Sequence, residues 1–400
     1  MRTETLTALA AQLPTPAYLF DLDAFEKRAA LVRRCFGEKT GLCFSIKANP
    51  FLLGRLPDIF DKIEVCSPGE LTVCERTGVD KKKIIFSGVN KTEEDVRRAA
   101  EDEVGTFTAE SLLHVELIDR EAQRRGTVYP VLLRVTDVKG GSQFGMEEAQ
   151  VWDIIRRRSS YPGIRIVGIH YFTGTQKKKA KPILRELEYL EELLARVQDD
   201  LGFTVERVEY GTGLGVDYFD SDADALEEER LSSVGERIRA LSEQVDLTVE
   251  MGRFFAAPCG YYLTKVIDAK SNYGVNYAIV DGGLNQLKYD GQLKGMLIPQ
   301  IIHLKDRADC GETAPWTLCG SLCTTEDVLT RNVSLDDLQI GDTLVFCRTG
   351  AYSVTEGMAV FLSREMPVVS VWSEKEGLTV IREMLRSDVL NTPGLEPRAF

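Results

Sequence analysis

The chain has 400 residues, 44% hydrophobic and 28% charged with no low-complexity tract, which supports a sizeable packed core and excludes a disordered polypeptide. Its length points to two domains rather than one. A net charge of −13 and a pI near 5.0 argue against a general nucleic-acid binder. No run of about 18 apolar residues is present, so no membrane span is expected. Met1–Thr5 opens without a secretory apolar stretch, and the nine cysteines are scattered with no Cys-x-x-Cys pair. Both features fit reduced thiols and a cytoplasmic location. His114, His170 and His303 lie too far apart in sequence to suggest a zinc site, and no metal is expected.

In chain order, Pro16–Phe20 reads as a strand. From about residue 25, short apolar segments rich in β-branched residues alternate with helical patterns. The predicted strands are 42–47, 63–67, 84–88, 104–108, 130–135, 165–171, 206–210 and 246–250, each with the look of a buried parallel strand. Ser67-Pro68-Gly69-Glu70 has the form of a capping box with proline at the first helical position, and Thr92-Glu93-Glu94-Asp95 repeats it with aspartate last. Leu184 to Val197 shows apolar spacing of three and four. Eight βα units over roughly 230 residues predict a (β/α)8 TIM barrel, usually about 250 residues long. An open doubly wound sheet is the alternative. After Arg253 the pattern changes to strands without long helices, at 261–267, 277–280, 343–346, 367–372 and 378–381. The expected division is a barrel over 25–255 and a β-rich domain from 1–24 and 256–400. The polar stretch from about Ser387, with Pro393 and Pro397, reads as a loose tail.

The chemistry-bearing motifs fall at the C-terminal ends of the predicted barrel strands, where such barrels carry their reactive groups. Lys47 follows the apolar run Leu42–Ile46, a buried setting costly for a lysine unless it is neutral or covalently engaged. Glu64 and Ser67 lie in the next predicted strand, 63–67. His170-Tyr171-Phe172-Thr173-Gly174-Thr175-Gln176, Gly211-Thr212-Gly213-Leu214-Gly215 and Glu250-Met251-Gly252-Arg253 end later ones. A lysine amine can form a Schiff base, glycines and an arginine can hold a phosphate, and a glutamate can protonate a pyridine nitrogen. Those are the parts of a pyridoxal phosphate site. Taken singly, each has a plainer reading: a snorkelling lysine, a tight βα turn, a surface acid–base pair. The position of Glu250 after Leu247-Thr248-Val249 predicts that it is buried and paired. In the β-rich region stand Cys319-Gly320-Ser321-Leu322-Cys323 and Gly350-Ala351-Tyr352.

The order of these motifs resembles the fold-type III pyridoxal phosphate decarboxylases, the family of diaminopimelate, ornithine and arginine decarboxylases. It does so over nearly the whole chain, from Thr15-Pro16-Ala17-Tyr18 to Gly350-Ala351-Tyr352. The resemblance implies an alanine-racemase-like barrel, pyridoxal 5'-phosphate as cofactor, Lys47 as the Schiff-base lysine and Glu250 at the pyridinium nitrogen. It implies that Thr175, Gly211, Gly213, Gly215, Gly252, Arg253 and Tyr352 hold the phosphate, with Glu64 and Phe172 also in the cofactor site. Cys323 would be a catalytic thiol reaching the partner subunit's site in a homodimer; its plainer reading is a small buried hydrophobe.

Three positions depart from the family pattern. Phe172 stands where a histidine usually stacks on the ring. Thr324 follows Cys323 where diaminopimelate enzymes have an acid, with Glu326 and Asp327 further on. Asn285-Gln286-Leu287-Lys288-Tyr289 follows Gly282-Gly283 where an arginine is expected, which makes Lys288, Tyr289 and Thr324 candidate substrate residues beside Cys323. Thr173-Gly174-Thr175-Gln176 together with Cys323-Thr324-Thr325-Glu326-Asp327 resembles decarboxylases of glutamyl groups tethered to an acyl carrier protein, as in butirosin biosynthesis. The basic run Lys177-Lys178-Lys179-Ala180-Lys181 reads either as a solvated loop or as a receiver for such a carrier. The expected function is decarboxylation of an amino acid or carrier-linked aminoacyl group. The alternatives are diaminopimelate decarboxylation, a racemase on the same barrel, and a non-catalytic homologue.

Overall fold

The computed structural model describes residues 1–136, 142–307 and 312–394. The chain divides into two compact units, one formed by Arg28–Val216 and Asp224–Phe255, the other by Met1–Lys27, Asp217–Ala223 and Ala256–Phe400.

Helix α1 (Thr3–Ala10), strand β1 (Ala17–Asp21) and helix α2 (Leu22–Phe36) precede the barrel. Its strands are β2 (Gly41–Ser45), β3 (Lys62–Val65), β4 (Ile84–Phe86), β5 (Thr106–Ala109), β6 (Tyr129–Val135), β7 (Ile164–Phe172), β8 (Arg207–Gly211) and β9 (Asp246–Met251). Each pairs parallel to the next, and β9 pairs back on β2 to close the ring. All eight predicted strands are present, none displaced by more than two residues at either end. The open-sheet alternative is excluded by the β2–β9 pairing.

Helices α3 (Pro68–Arg76), α4 (Glu93–Glu101), α5 (Leu112–Arg125), α6 (Glu148–Arg156), α7 (Ala180–Leu201) and α8 (Ala223–Ser242) connect the strands, and the short α9 (Arg253–Ala256) follows β9. On α7 the buried residues Ile183, Leu187, Leu190, Leu193 and Val197 recur every three or four positions, one apolar stripe. Thr92 and Asp95 form the full capping box of α4. At α3 only half of the box forms: the Ser67 hydroxyl accepts from the Glu70 amide, while the Glu70 carboxylate accepts from the Cys66 amide instead.

The second unit continues with β10 (Gly260–Asn272), β11 (Val275–Val280), β12 (Ile301–Leu304), β13 (Thr313–Cys319), β14 (Val328–Asp336), β15 (Thr343–Cys347), β16 (Val368–Ser373), β17 (Gly377–Arg382) and the helical turn α10 (Asp388–Asn391). These and β1 make a nine-stranded mixed sheet ordered β14-β13-β11-β10-β1-β16-β17, with β15 pairing both β10 and β12. The N-terminal strand thus joins the β-rich sheet, antiparallel to β10 and parallel to β16. Its core gathers Leu6, Leu9, Leu13, Ala17, Leu19, Leu263, Val345 and Val368. The stretch expected to be loose from Ser387 begins anchored: Ser387 is buried, its hydroxyl donates to the Arg364 carbonyl at 2.7 Å, and the Asn391 amide donates to the Val360 carbonyl. Pro397 lies outside the described residues. Among the described residues, no helix is long and apolar enough to cross a membrane.

Candidate active site

Strand β2 stops at Ser45, and Lys47 stands in a single 3-10 turn, Ile46–Ala48, closed by the Asn49 amide on the Ile46 carbonyl. The lysine is therefore not inside a buried strand, as its apolar run suggested. Its side chain is 38% exposed and rises from the C-terminal mouth of the barrel. The ammonium donates to Glu64 at 2.5 Å, lies 3.4 Å from the Cys66 sulfur and stands 3.6 Å from Glu250. Parallel register brings these groups together, because Ser45 lies opposite Glu64 and Cys43 opposite Glu250.

Glu250 is buried and paired, as its place in β9 predicts. The Ser45 hydroxyl donates to one of its oxygens at 3.0 Å, and His170 Nε2 meets the other at 3.0 Å. Burial alone would raise its acid. The Lys47 charge and the His170 contact outweigh burial and hold it well below the ordinary carboxylate range.

Glycine is required at three places around this cluster. A Cβ on Gly252 would stand 2.7 Å from that of Ala48, so the end of β9 and the Lys47 turn could not approach as they do. A Cβ on Gly211 would stand 2.5 Å from the Phe172 ring, which fills that space. Gly213 has φ +64°, and a Cβ there would lie 2.0 Å from the Gly174 carbonyl oxygen. The loops after β7 and β8 are stitched together. The Lys177 amide donates to the Gly213 carbonyl at 2.8 Å, the Gly215 amide to the Lys177 carbonyl, and the Val216 amide to the Gln176 side chain. The Leu214 amide is turned onto the Thr212 hydroxyl. A Cβ on Gly215 would likewise crowd the Gln176 and Lys177 backbone, at 3.1–3.2 Å. Thr175 is exposed beside it, and Arg253 is half-buried at the start of α9.

Lys177 departs from its sequence reading as part of a basic surface run. Its ammonium turns inward to Glu186 of α7 at 2.7 Å and to the Thr212 carbonyl at 3.1 Å. Tyr210 and Thr173 also donate to Glu186, so three elements converge on one half-buried carboxylate.

In the second unit Cys323 is exposed and carries a free thiol. Of the acids that follow Thr324, Glu326 pairs with Lys294 at 2.7 Å, while Asp327 is buried and accepts from the Leu284 and Leu322 amides, both at 2.8 Å. Lys288 pairs with Glu356 at 2.9 Å. Tyr289 is buried with its hydroxyl on the Cys347 carbonyl at 2.6 Å. Tyr352 has φ +65°, and its carbonyl accepts from the Thr355 and Glu356 amides.

A pyridoxal phosphate needs an amine for its aldehyde, a carboxylate for its ring nitrogen and a backbone its phosphate can approach. Lys47 and Glu250 provide the first two within the barrel unit, and the glycine-rich Gly211–Gly215 backbone after β8 is the candidate for the third, so the residues fit the group. Residues 22–257 match the family described as pyridoxal-dependent decarboxylase, pyridoxal binding domain. The chain belongs to the pyridoxal-dependent decarboxylases. It is a carboxy-lyase that uses pyridoxal phosphate. This decarboxylase is 27% identical to the L-glutamyl-[BtrI acyl-carrier protein] decarboxylase of Niallia circulans, covering 91% of this chain and 90% of that one. It is 31% identical to the diaminopimelate decarboxylase of Pseudomonas aeruginosa, covering 87% and 85%. Its fold matches the crystal structure of M. jannaschii diaminopimelate decarboxylase in complex with L-lysine, with a TM-score of 0.85 at 22% identity over 98% of this chain and 94% of that one.

The decarboxylase also carries four buried charged residues near the barrel mouth that the sequence reading passed over. Glu110, directly after β5, pairs with Arg134 of β6 at 2.9 Å, and the Arg134 guanidinium lies 4.7 Å from the Phe144 ring centroid and 5.9 Å from that of Phe172. Lys91 is buried with its ammonium on the Gly88 carbonyl at 2.6 Å, and burial pushes it down to about 8. Glu209 sits inside β8 with burial, then the charges of Glu250 and Glu64, raising its acid well above the ordinary range. For Glu110 and Arg134 the signal was available: a charged residue within or just after an apolar barrel strand.

Proposed function

We propose that the decarboxylase removes the α-carboxylate of an aminoacyl group, foremost one tethered to a carrier protein, rather than of free meso-diaminopimelate. The observation that carries this reading is the segment after Cys323. Thr324 offers no charge, Glu326 is taken by Lys294, and Asp327 is taken by two backbone amides, so the acids there already have partners within their own unit. A distal ammonium would find no acid waiting in that segment. The glutamyl carrier-protein decarboxylase among the relatives supports the same direction.

Pyridoxal phosphate, when bound, supplies a ring that accepts the electron pair released with carbon dioxide. Lys47 would hold its aldehyde, with Glu64 keeping the amine in place. Glu250, fixed as a carboxylate by Ser45 and His170, would hold a proton at the ring nitrogen. Phe172 would offer its ring face, braced by the Arg134 guanidinium. Thr175, the Gly211–Gly215 loop, Gly252, Arg253 and Tyr352 would receive the phosphate. Cys323, from a second copy of the chain in a homodimer, would return a proton to the α-carbon. Lys288, Tyr289 and Thr324 remain the candidates for substrate contact.

The test is carbon dioxide release by purified protein from carrier-linked glutamyl groups, free glutamate, ornithine and meso-diaminopimelate. Carrier-linked turnover should lead. Efficient and specific turnover of free meso-diaminopimelate would sink the substrate reading.

A further inference from the structure

Glu209 is 1% exposed, and among the described residues no N–H or O–H donor reaches either of its carboxylate oxygens; the one donor turned toward it is the weak Cys43 thiol. A buried carboxylate in that position is untenable as an anion without a partner. The groups facing it from the surrounding elements are His170 of β7, Glu250 of β9, Cys43 of β2, Glu64 of β3 and Lys47 in the turn after β2. Donor atoms of Glu209, Glu250 and His170 all lie within 4.8 Å of one another. Lys47 is the one cation acting on Glu209 in this group, and it is committed to Glu64 at 2.5 Å with Glu250 next at 3.6 Å. Among the described residues, His170 Nε2 meets Glu250 and its Nδ1 has no hydrogen-bond partner. Three carboxylates therefore surround one lysine charge, and Glu209 is the one that neither the lysine nor the histidine reaches.

Glu209 also faces a cavity. A space of about 240 Å³ opens among the N-terminal ends of the barrel strands, lined by Gly41, Thr106 and Thr248 among others, and Glu209 lies furthest along β8 of the residues that line it. Its two oxygens are themselves closed to solvent.

We propose that Glu209 is a positioning residue, held in the folded protein as a neutral carboxylic acid beneath Glu250, which leaves Glu250 as the single carboxylate toward the cofactor's ring nitrogen. The inference rests on the reading of Glu250 as the ring-nitrogen partner. The direction in which burial and the neighbouring carboxylates push the Glu209 acid agrees with it. If Glu209 were ionised, the proton needed at the ring nitrogen would be shared among competing carboxylates. As a neutral acid it leaves the Lys47–Glu250–His170 arrangement undisturbed.

The test is infrared spectroscopy of the full-length protein loaded with pyridoxal phosphate at neutral pH, prepared with and without glutamate carrying ¹³C at the side-chain carboxyl. Wild type should show a protonated carboxylic acid C=O band that moves with the label, and Glu209→Gln should lack it. Because an amide has the shape of a neutral acid, Glu209→Gln should hold the cofactor within about threefold of wild-type affinity. Absence of a labelled band in the wild-type protein, which needs no variant to fold, would overturn the proposal. So would a band that survives in Glu209→Gln, or a stoichiometric divalent metal that Glu209→Gln loses. A Glu250→Gln protein that binds cofactor like wild type would instead overturn the ring-nitrogen reading, while leaving the infrared assignment of Glu209 in place.

Discussion

Lys47 and Glu250 were legible because each ends an apolar run, where an ionisable residue has no plain structural purpose. Glu209 was not, because Val208-Glu209-Tyr210 has the alternation of an ordinary strand and its partners lie on other strands. Its protonation makes a prediction about stability. An acid whose folded pKa is raised binds its proton more tightly in the native state. That contribution is complete below the unfolded value near 4.5 and is lost as pH rises toward the folded value. Wild type should therefore lose stability as pH rises above the unfolded value more steeply than Glu209→Gln, by up to about 1.4 kcal/mol per pH unit. Urea unfolding at several pH values measures the two slopes. Parallel slopes would mean that Glu209 is not a buried neutral acid.

At the scale of elements, the barrel strands could be read because their apolar, β-branched runs are buried on both faces. β4 and β5 are buried at every position. β12 through β14 were missed for the opposite reason. β12 is half-exposed throughout, β13 carries Pro315 in its middle, and β14 alternates with exposed polar residues. α1 has only Leu6 and Leu9 buried, too little for a periodic signal. Lys177 looked like part of a solvated run; the overlooked signal was Glu186, which lies between Ile183 and Leu187 of the buried stripe. The Lys177–Glu186 pair ties the loops after β7 and β8 to α7, with side chains only 11% and 13% exposed. Lys177→Met should leave Glu186 with only its Tyr210 and Thr173 hydrogen bonds and destabilise the fold by about 1–3 kcal/mol. It should also raise the cofactor dissociation constant at least about tenfold, since 1.4 kcal/mol is a factor of ten, while kcat at saturating cofactor falls less. Fluorescence titration with pyridoxal phosphate and steady-state kinetics separate the two. An unchanged dissociation constant would show that the pair does not set the loop. Lys178, Lys179 and Lys181 of the same run are exposed.

At the scale of the whole molecule, the motif order from Lys47 to Tyr352 was enough to reach the family, because each motif closes a strand or turn whose position the fold dictates. Asp217–Ala223 grouping with the second unit has no comparable sequence signal. The homodimer reading places Lys47 and Cys323 of one site on different copies of the chain. Mixing Lys47→Ala with Cys323→Ala should then return up to about a quarter of wild-type activity as mixed dimers form with one intact site each. Proven subunit exchange without recovery would refute the shared site. Of the lysines near the barrel mouth, Lys47 is part-exposed beside Glu64, whereas Lys91 is buried, lowered to about 8 and turned onto a backbone carbonyl. Borohydride reduction of the intact protein with bound pyridoxal phosphate, followed by peptide mapping, distinguishes them directly. The pyridoxyl group should be found on Lys47 and be absent from Lys47→Ala; a pyridoxyl group on Lys91 or any other lysine of the wild-type protein would contradict the assignment of this site.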